Sequence, residues 1–506
     1  MLKSIIFSDE ITLWWDQEEF SKKTTKYKLY VDGGYYGETT KTHYTFDSLS
    51  EGQRYLLRIE AYIADIVVAT NEYILYTKKA KNRLDVTKVP YCAVGDGKAV
   101  NTLALQKALD DCGENDCVYF PAGTYLTGAL DVHSNCEIYL EKGAVLKGTE
   151  DIKDYLPKIK SRFEGIEMEC YRSLLNLGKL DHKSGYNCHN VAIRGQGTIY
   201  GGGKPLALAI LETEKERLKE YMEKNAEYVK TCENANTIPG RARGRLINMS
   251  NCENVIISGL TLGYGAAWNV HFVYSKNIIT YNCNIQSNVV KDENGNIVMD
   301  RVWNGDGWDP DSSEDCVIFG TVFQTADDCI AIKSGKNPEG NIINRPTKNI
   351  YAFDCFAISG HGFSIGSEMS GGVENVRVWD SDFKNTPFGV QIKAPKERGG
   401  YVKNIYVSNC AVKRIDVSSA VGYNNDGISA QFPPVLSDYY YENVTCYGRG
   451  EQGDKRYVSI SGFEDENYAL KNVRFVGIRF VQAKGETIIR QQNVYNVEWQ
   501  DIEYIH

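Results

Sequence analysis

Aspartates are gathered in one short stretch of the chain, residues 304–335, which reads NGDGWDPDSSEDCVIFGTVFQTADDCIAIKSG. Five of them are Asp306, Asp309, Asp311, Asp327 and Asp328. Ionised carboxylates repel one another, so a fold that gathers several of them usually has a use for the arrangement. Hydrolysis of a bond between two sugars needs a pair, one protonated to donate to the leaving oxygen and one ionised to activate water. Taken alone, the stretch is also consistent with an acidic loop in solvent or with a calcium site.

A repeat in the second part of the chain predicts how these acids are positioned. A polar residue, usually asparagine, precedes a short alternating strand, with spacings of 23 to 39 residues from Asn254 onward. These residues are Asn190, Asn254, Asn277, Asp315, Asn349, Asn375, Asn404, Asn443, Asn472 and Asn496. A period of about 25 residues with insertions is typical of an all-β fold, the right-handed parallel β-helix, in which the stacked asparagines hydrogen-bond to one another. A propeller does not fit, because it needs about 40 residues and four strands per repeat.

The repeat also predicts that the candidate side chains are stacked. Asp327 lies 12 residues after Asp315, and His361 lies 12 residues after Asn349. Equal offsets on consecutive coils put side chains one above another, about 4.8 Å apart. The same counting places Asp306 on the coil before and Lys393 on the coil after. The expected column consists of Asp306, Asp327, Asp328, His361 and Lys393.

The N-terminal part of the chain has a different sequence pattern, which predicts a separate small β-sandwich. Apolar and polar residues alternate in residues 55–62. Tyr55 follows Leu49 by six residues, a spacing that resembles the tyrosine corner of fibronectin type III modules. We therefore predict two domains, a sandwich over residues 1–85 and a β-helix over residues 90–506.

Composition narrows the classes of partner. The 506 residues carry a formal net charge of −9, spread along the sequence, which argues against binding to nucleic acid. No apolar run approaches the roughly 18 residues of a membrane-spanning helix, so no membrane partner is expected. Residues 1–20 lack the pattern of a signal peptide, which predicts a cytoplasmic protein, or a secreted one if the N-terminus has been trimmed. The 14 cysteines show neither a CxxC pair nor metal-ligand spacing, and we interpret most of them as reduced core thiols.

Four motifs in order make the chain resemble glycoside hydrolase family 28, the polygalacturonases. They are Asn304-Gly305-Asp306, Asp327-Asp328, Gly360-His361-Gly362 and Gln391-Ile392-Lys393, with glycine at 305 where the family usually has threonine. The resemblance covers about residues 90–480 and implies the pectin lyase-like β-helix. The fibronectin-like module followed by residues 121–125 is similar to bacterial exo-acting members of the family.

The resemblance implies inverting hydrolysis of an α-1,4-galacturonosyl bond in a pectic oligosaccharide, with no cofactor and no metal. It implies that Asp327 is the general acid, with its pKa raised by neighbouring carboxylates. Asp306 and Asp328 would hold and deprotonate the water, and His361 would help to set the protonation of the acid. Lys393 would pair with a carboxylate of the substrate.

The chain departs from the family pattern at Gln391, where the family has arginine. Arginine grips a carboxylate with two parallel hydrogen bonds, which glutamine cannot reproduce. Arg398, with Lys396 beside it, is the expected substitute, unless the natural substrate is a substituted or rhamnose-containing pectin fragment. Further candidates for contact with the substrate are Arg241, Arg243, Arg245 and Asn304.

Two polar insertions interrupt the repeat near the acids. Residues 158–243 contain a charged amphipathic helix at 211–229, and residues 288–301 form a polar loop. Long loops in a compact fold tend to be functional. Because such loops can close one side of a groove, we expect an exo-acting enzyme that works from a chain end. A short helix at 101–109 is expected to cap the β-helix.

Two other functions remain open. A pectate lyase shares the β-helix but needs calcium, which Asp309 and Asp311 could bind, and a base that removes the proton α to a carboxylate. A non-catalytic, carbohydrate-binding β-helix would have no reason to keep the acidic column. The release of reducing ends, measured beside ultraviolet absorbance, separates all three functions.

Overall fold

A computed structural model describes residues 3–16, 19–20, 23–418, 427–448, 456–482 and 488–505 of the chain. The chain divides into two compact units, residues 1–83 and residues 84–506. Each unit has its own buried core.

The N-terminal unit is built from two antiparallel sheets. One sheet contains the strands Lys3–Ile6, Ile11–Trp14 and His43–Phe46, and the other contains Lys26–Val31, Gly34–Thr39, Arg54–Ile63 and Ile66–Tyr76. Leu13 from one sheet and Leu29 from the other lie in a single fully buried cluster around Trp15. The hydroxyl of Tyr55 accepts a hydrogen bond from the backbone of Ser50 at 2.8 Å, close to the predicted tyrosine corner. The assignment of this unit as a fibronectin type III module stays a prediction.

Three long parallel sheets form the second unit. The first sheet contains Asn82–Asp85, Asp116–Phe120, Glu137–Leu140, Cys188–Gly195, Cys252–Ser258, Lys276–Tyr281, Glu314–Phe319, Thr347–Phe353, Val373–Trp379, Tyr401–Ser408, Val435–Glu442, Leu470–Val476 and Val494–Gln500. The second contains Asp96–Val100, Gly123–Thr127, Ala144–Gly148, Thr198–Tyr200, Thr261–Gly263, Asn284–Gln286, Val322–Gln324, Phe356–Ser359, Asp382–Phe383, Ala411–Val412, Thr445–Cys446, Arg479–Val481 and Glu503–Ile505. The third contains Leu130–Val132, Leu175–Leu177, Ile247–Ser250, Val270–Val273, Trp308–Asp311, Ile330–Ile332, Gly362–Ile365, Gly389–Lys393, Arg414–Ser418, Val458–Ser461 and Ile489–Gln492.

Each coil runs through the first, second and third sheets in turn and then stacks on the coil before it, so the prediction of a parallel β-helix is confirmed. Alternation within each strand sends one set of side chains inward, where they form a single continuous core. The strand Cys252–Ser258, for example, buries Val255 and Ile257 completely. Burial of such aliphatic side chains is the main force that holds successive coils together.

The predicted asparagine ladder is present along the first sheet. Asn254 donates its side-chain amide to Asn190 at 3.1 Å, and Asn277 donates to Asn254 at 2.8 Å. These residues have positive φ angles of 53° to 60°, a backbone conformation that asparagine tolerates better than most side chains. The ladder therefore fixes a sharp bend and supplies one amide hydrogen bond between coils.

Asn443 was wrongly assigned to this ladder. It follows the strand Val435–Glu442 instead of preceding it, and its amide donates to Asn409 at 3.3 Å in a separate row. Asp438 takes the ladder position and accepts from Asn472 at 2.8 Å. Asp438 and Asn443 both have positive φ angles and lie only five residues apart, so spacing alone cannot separate the two rows.

A helix, Thr102–Asp110, packs against the first coils at the expected position and contributes Leu105 and Leu109 to the core. The helix of the long insertion is Gly203–Lys224, so it begins eight residues earlier than predicted. Leu206 and Ile210 in its early turns are buried against Tyr155, which explains the early start. Among the described residues, no helix is long and apolar enough to cross a membrane.

The remaining short elements lie in the insertions and connections. They are the helices Ala226–Val229, Thr237–Gly240 and Glu339–Ile343, the 3-10 turns Ile152–Tyr155 and Lys396–Arg398, and the hairpin strands Ile159–Phe163, Ile166–Cys170, Val290–Lys291 and Ile297–Met299. All fourteen cysteines are free, and only Cys92 and Cys232 are not buried. Most of the thiols are thus core residues, as the sequence indicated.

Candidate active site

Strands of the third sheet bring the predicted acids together. Trp308 pairs with Ile330 and Ile330 with Phe363, and the residues two positions before them are Asp306, Asp328 and His361. These three residues therefore lie just before equivalent strands on three consecutive coils. The column expected from equal offsets is off by one residue, because it placed Asp327 level with His361. Phe323 pairs with Ala357, 34 residues further on, whereas Ile330 pairs with Phe363, only 33 residues further on, and counting residues along the sequence cannot detect this change.

His361 nevertheless contacts both neighbouring acids. Its Nδ1 lies 3.1 Å from Oδ1 of Asp327 and 3.7 Å from Oδ1 of Asp328. The hydrogen bond to Asp327 raises the pKa of His361 against the opposing effect of burial. Burial alone would raise the pKa of Asp327, but the hydrogen bond and charge of His361 lower it below its usual value. The pair is therefore an ion pair that keeps a proton beside Asp327.

The expectation of a raised pKa for Asp327 is wrong; the pKa is raised at Asp306 and at Asp309 instead. Asp306 is 3% exposed, and burial, followed by the charge of Asp327, raises its pKa to about 7. The difference arises because Asp327 has His361 in contact, whereas the nearest cation to Asp306 is Lys333 at 3.5 Å.

Lys333 is a site residue that our sequence interpretation missed. Its ammonium is buried, 3.5 Å from Asp306, 3.7 Å from Asp309 and 3.5 Å from Glu368. It also lies over the ring of Trp268, 4.8 Å from the centroid. Burial would lower the pKa of Lys333, but the three carboxylates raise it well above its ordinary value. Lys333 thus stays charged and offsets part of the repulsion beneath the acids.

Three side chains from the next coils hold Asp328. Ser364 donates its hydroxyl to Oδ1 at 2.7 Å, and Gln391 reaches the same oxygen at 3.4 Å. Lys393 donates to Oδ2 at 2.7 Å. Since both oxygens already accept hydrogen bonds, Asp328 is fixed in orientation.

The structure gives Gln391 a supporting position. It is 5% exposed, and its amide also donates to Ser364 at 2.8 Å, so it buttresses Asp328 from below. Arg398 is 1% exposed and donates to the carbonyl of Ser367 and to Asn337. The expectation that Arg398 replaces the missing arginine as a grip on the substrate is therefore wrong. The neighbouring Lys396 is exposed.

Among the candidate arginines, Arg243 faces the acids and Arg245 does not. Arg245 is 2% exposed, donates to the carbonyls of Arg243 and Arg162, and lies against the ring of Phe163. The prediction that Arg245 contacts the substrate is wrong, because its guanidinium is enclosed by the core of the insertion. Arg243 donates to Asn304 at 2.7 Å, and burial lowers its pKa to about 10. Arg241 forms an ion pair with Glu164, with 2.8 Å between the guanidinium and the carboxylate.

A cavity of about 380 Å³ lies against Asp327. Arg243 and Asn304 line it from the β-helix side, and Leu208 and Leu211 line it from the helix of the long insertion. The segment that follows the second insertion contributes as well, because Arg301 borders the cavity and donates to the carbonyl of Ala326 at 2.8 Å. Both insertions thus approach the same face of Asp327.

Asp309 and Asp311 lie deeper than the other acids. Asp311 is fully buried and accepts from Arg162 at 3.0 Å, and His271 approaches its other oxygen at 3.6 Å. Burial lowers the pKa of His271 to about 4 despite this neighbour. Asp309 faces Lys333, as described above. Asp311 is thus paired with a buried arginine, and burial raises the pKa of Asp309 well above its usual value, which makes both acids poor ligands for calcium.

Within the described chain, one group of side chains has the spacing of a metal site. The potential ligand atoms of Asp327, Asp328 and His361 all lie within 4.8 Å of one another. Lys393 already donates to one oxygen of Asp328, and the hydrogen bond to Asp327 raises the pKa of His361, which disfavours the neutral imidazole that a metal requires. The donor set fits a metal poorly for these two reasons.

The profile of glycosyl hydrolases family 28 matches residues 158–473. Over 338 residues the chain is 32% identical to a probable polygalacturonase of Vitis vinifera, covering 64% of this chain and 60% of the relative. It is 24% identical over 492 residues to an exo-poly-alpha-D-galacturonosidase of Dickeya chrysanthemi, covering 90% of this chain and 79% of that protein.

Two solved structures share the architecture. A family 28 exopolygalacturonase of Yersinia enterocolitica superposes with a TM-score of 0.80 at 20% identity, covering 98% of each chain. A hyperthermoactive exopolygalacturonase of Thermotoga maritima gives a TM-score of 0.63 at 26% identity, covering 81% of this chain and 92% of the other. The likeness to the Yersinia protein is one of fold.

Proposed function

This chain belongs to glycosyl hydrolases family 28, and on that premise we propose that it hydrolyses α-1,4-galacturonosyl bonds of pectic oligosaccharides from a chain end. The observation that carries the proposal is the placement of Asp327 between the proton on His361 and the cavity lined by the insertions. Asp306 and Asp328 stand on adjacent coils beside it. An acid and a base on one face are the groups that hydrolysis of a glycosidic bond requires.

The acid step starts from the ion pair. Asp327 donates a proton to the leaving oxygen as the bond from the anomeric carbon to that oxygen breaks. His361 can supply this proton, because its imidazolium lies 3.1 Å from Asp327. As the substrate excludes water from this pair, the neutral form of both groups becomes more favourable, and the proton moves from the imidazole to the carboxylate.

Asp306 is the better general base of the two remaining acids. Its pKa of about 7 makes its ionised form more basic than an ordinary carboxylate. Asp328 has both oxygens occupied by Ser364 and Lys393, so it orients the attacking water without taking the proton. The water oxygen bonds to the anomeric carbon from the face opposite the leaving oxygen, and its proton goes to Asp306. Inversion follows from that direct displacement.

The exo-acting mode rests on the cavity beside Asp327. A polymer that is cut internally must extend past the acid on both sides. Here the insertion helix, through Leu208 and Leu211, stands on one side of Asp327. The name of the Dickeya relative, an exo-poly-alpha-D-galacturonosidase, supports the same mode of action. The cavity would then hold the terminal sugars, with Arg243 facing a carboxylate.

Product analysis on polygalacturonate tests the proposal. We expect monomer or dimer from the first minutes, slow loss of viscosity, and a β-anomeric first product by proton NMR. A rise in ultraviolet absorbance would indicate a lyase, and the absence of new reducing ends would indicate a non-catalytic protein. A ladder of intermediate oligomers with rapid loss of viscosity would contradict the exo-acting mode alone.

A further inference from the structure

A second depression lies on the third sheet, on the C-terminal side of the acids. It has a volume of about 990 Å³, and Phe388 and Gln391 border its near end. Both residues contact side chains of the candidate active site. The ring of Phe388 meets His361 edge-on with centroids 5.7 Å apart, and Gln391 reaches Asp328 at 3.4 Å. This depression, which we call the distal groove, therefore begins where the acids end.

The distal groove follows the axis of the β-helix over several coils. Along the third sheet, Gln391 pairs with Asp416, and the pairing continues through Ser459 to Arg490. All four residues line the groove. Adjacent strands lie about 4.8 Å apart, so these three steps span about 14 Å. One residue of a 1,4-linked sugar chain is about as long as one step, which gives room for about three sugars.

The chemistry of the lining suits sugars that carry carboxylates. The cationic lining residues are Lys396, Arg414, Arg456 and Arg490, and the acidic ones are Asp416, Glu464 and Asp465. Asp416 and Arg414 neutralise each other at 2.5 Å, which leaves three cations and two acids in the lining. The rings of Phe432 and Tyr468 are nearly parallel, with centroids 5.9 Å apart, and add an apolar surface on the rim. Aromatic surface beside a few placed charges is the usual make-up of a binding site for an organic ligand.

We propose that the distal groove binds the leaving part of a polyuronide chain, with Arg490 contacting a carboxylate about three sugars beyond the cleaved bond. This inference rests on the proposed function. Because the insertions stand on the other side of Asp327, a chain cut near its end must extend over these C-terminal coils. Arg490 is exposed on the far coil, where it donates to Gln492 at 2.8 Å, so its guanidinium is accessible to a ligand.

The consequence is a preference for longer chains that depends on Arg490. We expect kcat/KM on oligogalacturonides of increasing length to rise until the distal groove is filled. Arg490→Gln should lower kcat/KM for long oligomers by about threefold to tenfold, mainly through KM, and leave the shortest cleaved oligomer unaffected. Arg490→Lys, which keeps the charge, should recover part of the loss.

Arg479→Gln is the matched control, since Arg479 is an exposed arginine of the same region on the second sheet. It should change kcat/KM at no length. An equal loss at all lengths in Arg490→Gln, or the same loss in the control, would overturn the proposal.

Calorimetric binding in an Asp327→Asn background separates this proposal from the proposed function. Affinity for a long oligogalacturonide should fall on Arg490→Gln, whereas affinity for a short one should not. If the wild-type protein cleaved no galacturonide but this difference in affinity remained, the proposed reaction would be wrong and the proposed role of the distal groove would be correct. Equal affinities for long oligomers with and without Arg490 would make the groove wrong, whatever the reaction.

Discussion

Two rows of polar side chains run along this β-helix, and they are stabilised in opposite ways. The asparagine ladder of the first sheet repeats one amide, and each side chain both donates and accepts, as Asn254 does between Asn190 and Asn277. The acidic row of the third sheet repeats a carboxylate, which accepts but cannot donate when ionised. It is accompanied by cations, since Lys393 lies 2.7 Å from Asp328, His361 lies 3.1 Å from Asp327 and Lys333 lies 3.5 Å from Asp306.

The difference shows how a repetitive fold uses one row of side chains to stabilise the coils and another to form the candidate active site. A self-complementary side chain can be copied from coil to coil with no outside partner. A row of like charges requires a different neighbour at each step, and every such neighbour shifts a pKa. The acidic row therefore contains a lowered pKa at Asp327 and a raised one at Asp306 within two consecutive coils.

The largest expected effect comes from removing the acid. Asp327→Asn should lower kcat by roughly a thousandfold or more, because the leaving oxygen loses its proton donor. The fold should survive, since asparagine keeps the shape of the side chain and only the contact with His361 is weakened. Steady-state rates and thermal unfolding check both statements, and a rate within tenfold of the wild type would contradict the assignment of Asp327.

Removing the buried cation should alter both stability and pH dependence. Lys333→Met leaves three buried carboxylates without their shared ammonium, which should cost about 3–5 kcal/mol of unfolding free energy. Asp306 must be ionised to act as a base, so activity should fall as the pH drops through about 7. Without Lys333 the pKa of Asp306 rises further, and this limb of the kcat/KM profile should move to higher pH.

Lys336→Met is the control for that experiment. Lys336 is equally buried three residues later, and burial followed by the charge of Arg241 lowers its pKa to about 7. Its substitution should leave the acidic limb in place. A matching shift in both variants would mean that the limb reports general charge and not the contact between Lys333 and Asp306.

Weakening the support of Asp328 should have a smaller effect. Gln391→Leu removes the amide that donates to Ser364 and Asp328, which should lower kcat about fivefold, equivalent to about 1 kcal/mol. KM for short oligomers should change less than kcat, because the side chain acts through Asp328. A rise in KM alone would mean that Gln391 contacts the sugar directly.

The smallest effect is expected from turning one rung of the ladder into a carboxylate. Asn277→Asp keeps a residue that tolerates the positive φ but removes the amide that donates to Asn254. At neutral pH it should cost about 1 kcal/mol of unfolding free energy without changing activity. Below the pKa of the new carboxyl the protonated side chain can donate again, so the loss should shrink in acid. Denaturant unfolding at two pH values measures this.

Sequence patterns predicted the coils and the three acids, because both depend on local spacing. The positions of the cations were harder to predict, because the sequence does not show whether a lysine or arginine side chain faces the substrate or is buried in the protein. Arg245 and Arg398 were expected to contact the substrate, but both side chains are buried. Lys333 was missed, although alternation in the strand Ile330–Ile332 puts it on the face opposite the core.

Register set the other limit on prediction. Between the pair Phe323–Ala357 and the pair Ile330–Phe363 the offset between the two coils falls from 34 to 33 residues, which moved His361 one step from its expected level. Asn443 was misplaced because the ladder position of its strand is taken by an aspartate, Asp438, five residues earlier. Pairing between coils depends on contacts across the whole turn, and a count along the chain does not contain them.

The buried thiols have a practical consequence. Cys188, Cys252, Cys283, Cys316, Cys355, Cys410 and Cys446 are free and buried at successive heights along the β-helix. A thiol inside the core reacts with an alkylating reagent only when its own coil opens. Mass-spectrometric alkylation rates would therefore read local opening coil by coil without any introduced label, and would show whether this solenoid frays from its ends or opens as one unit.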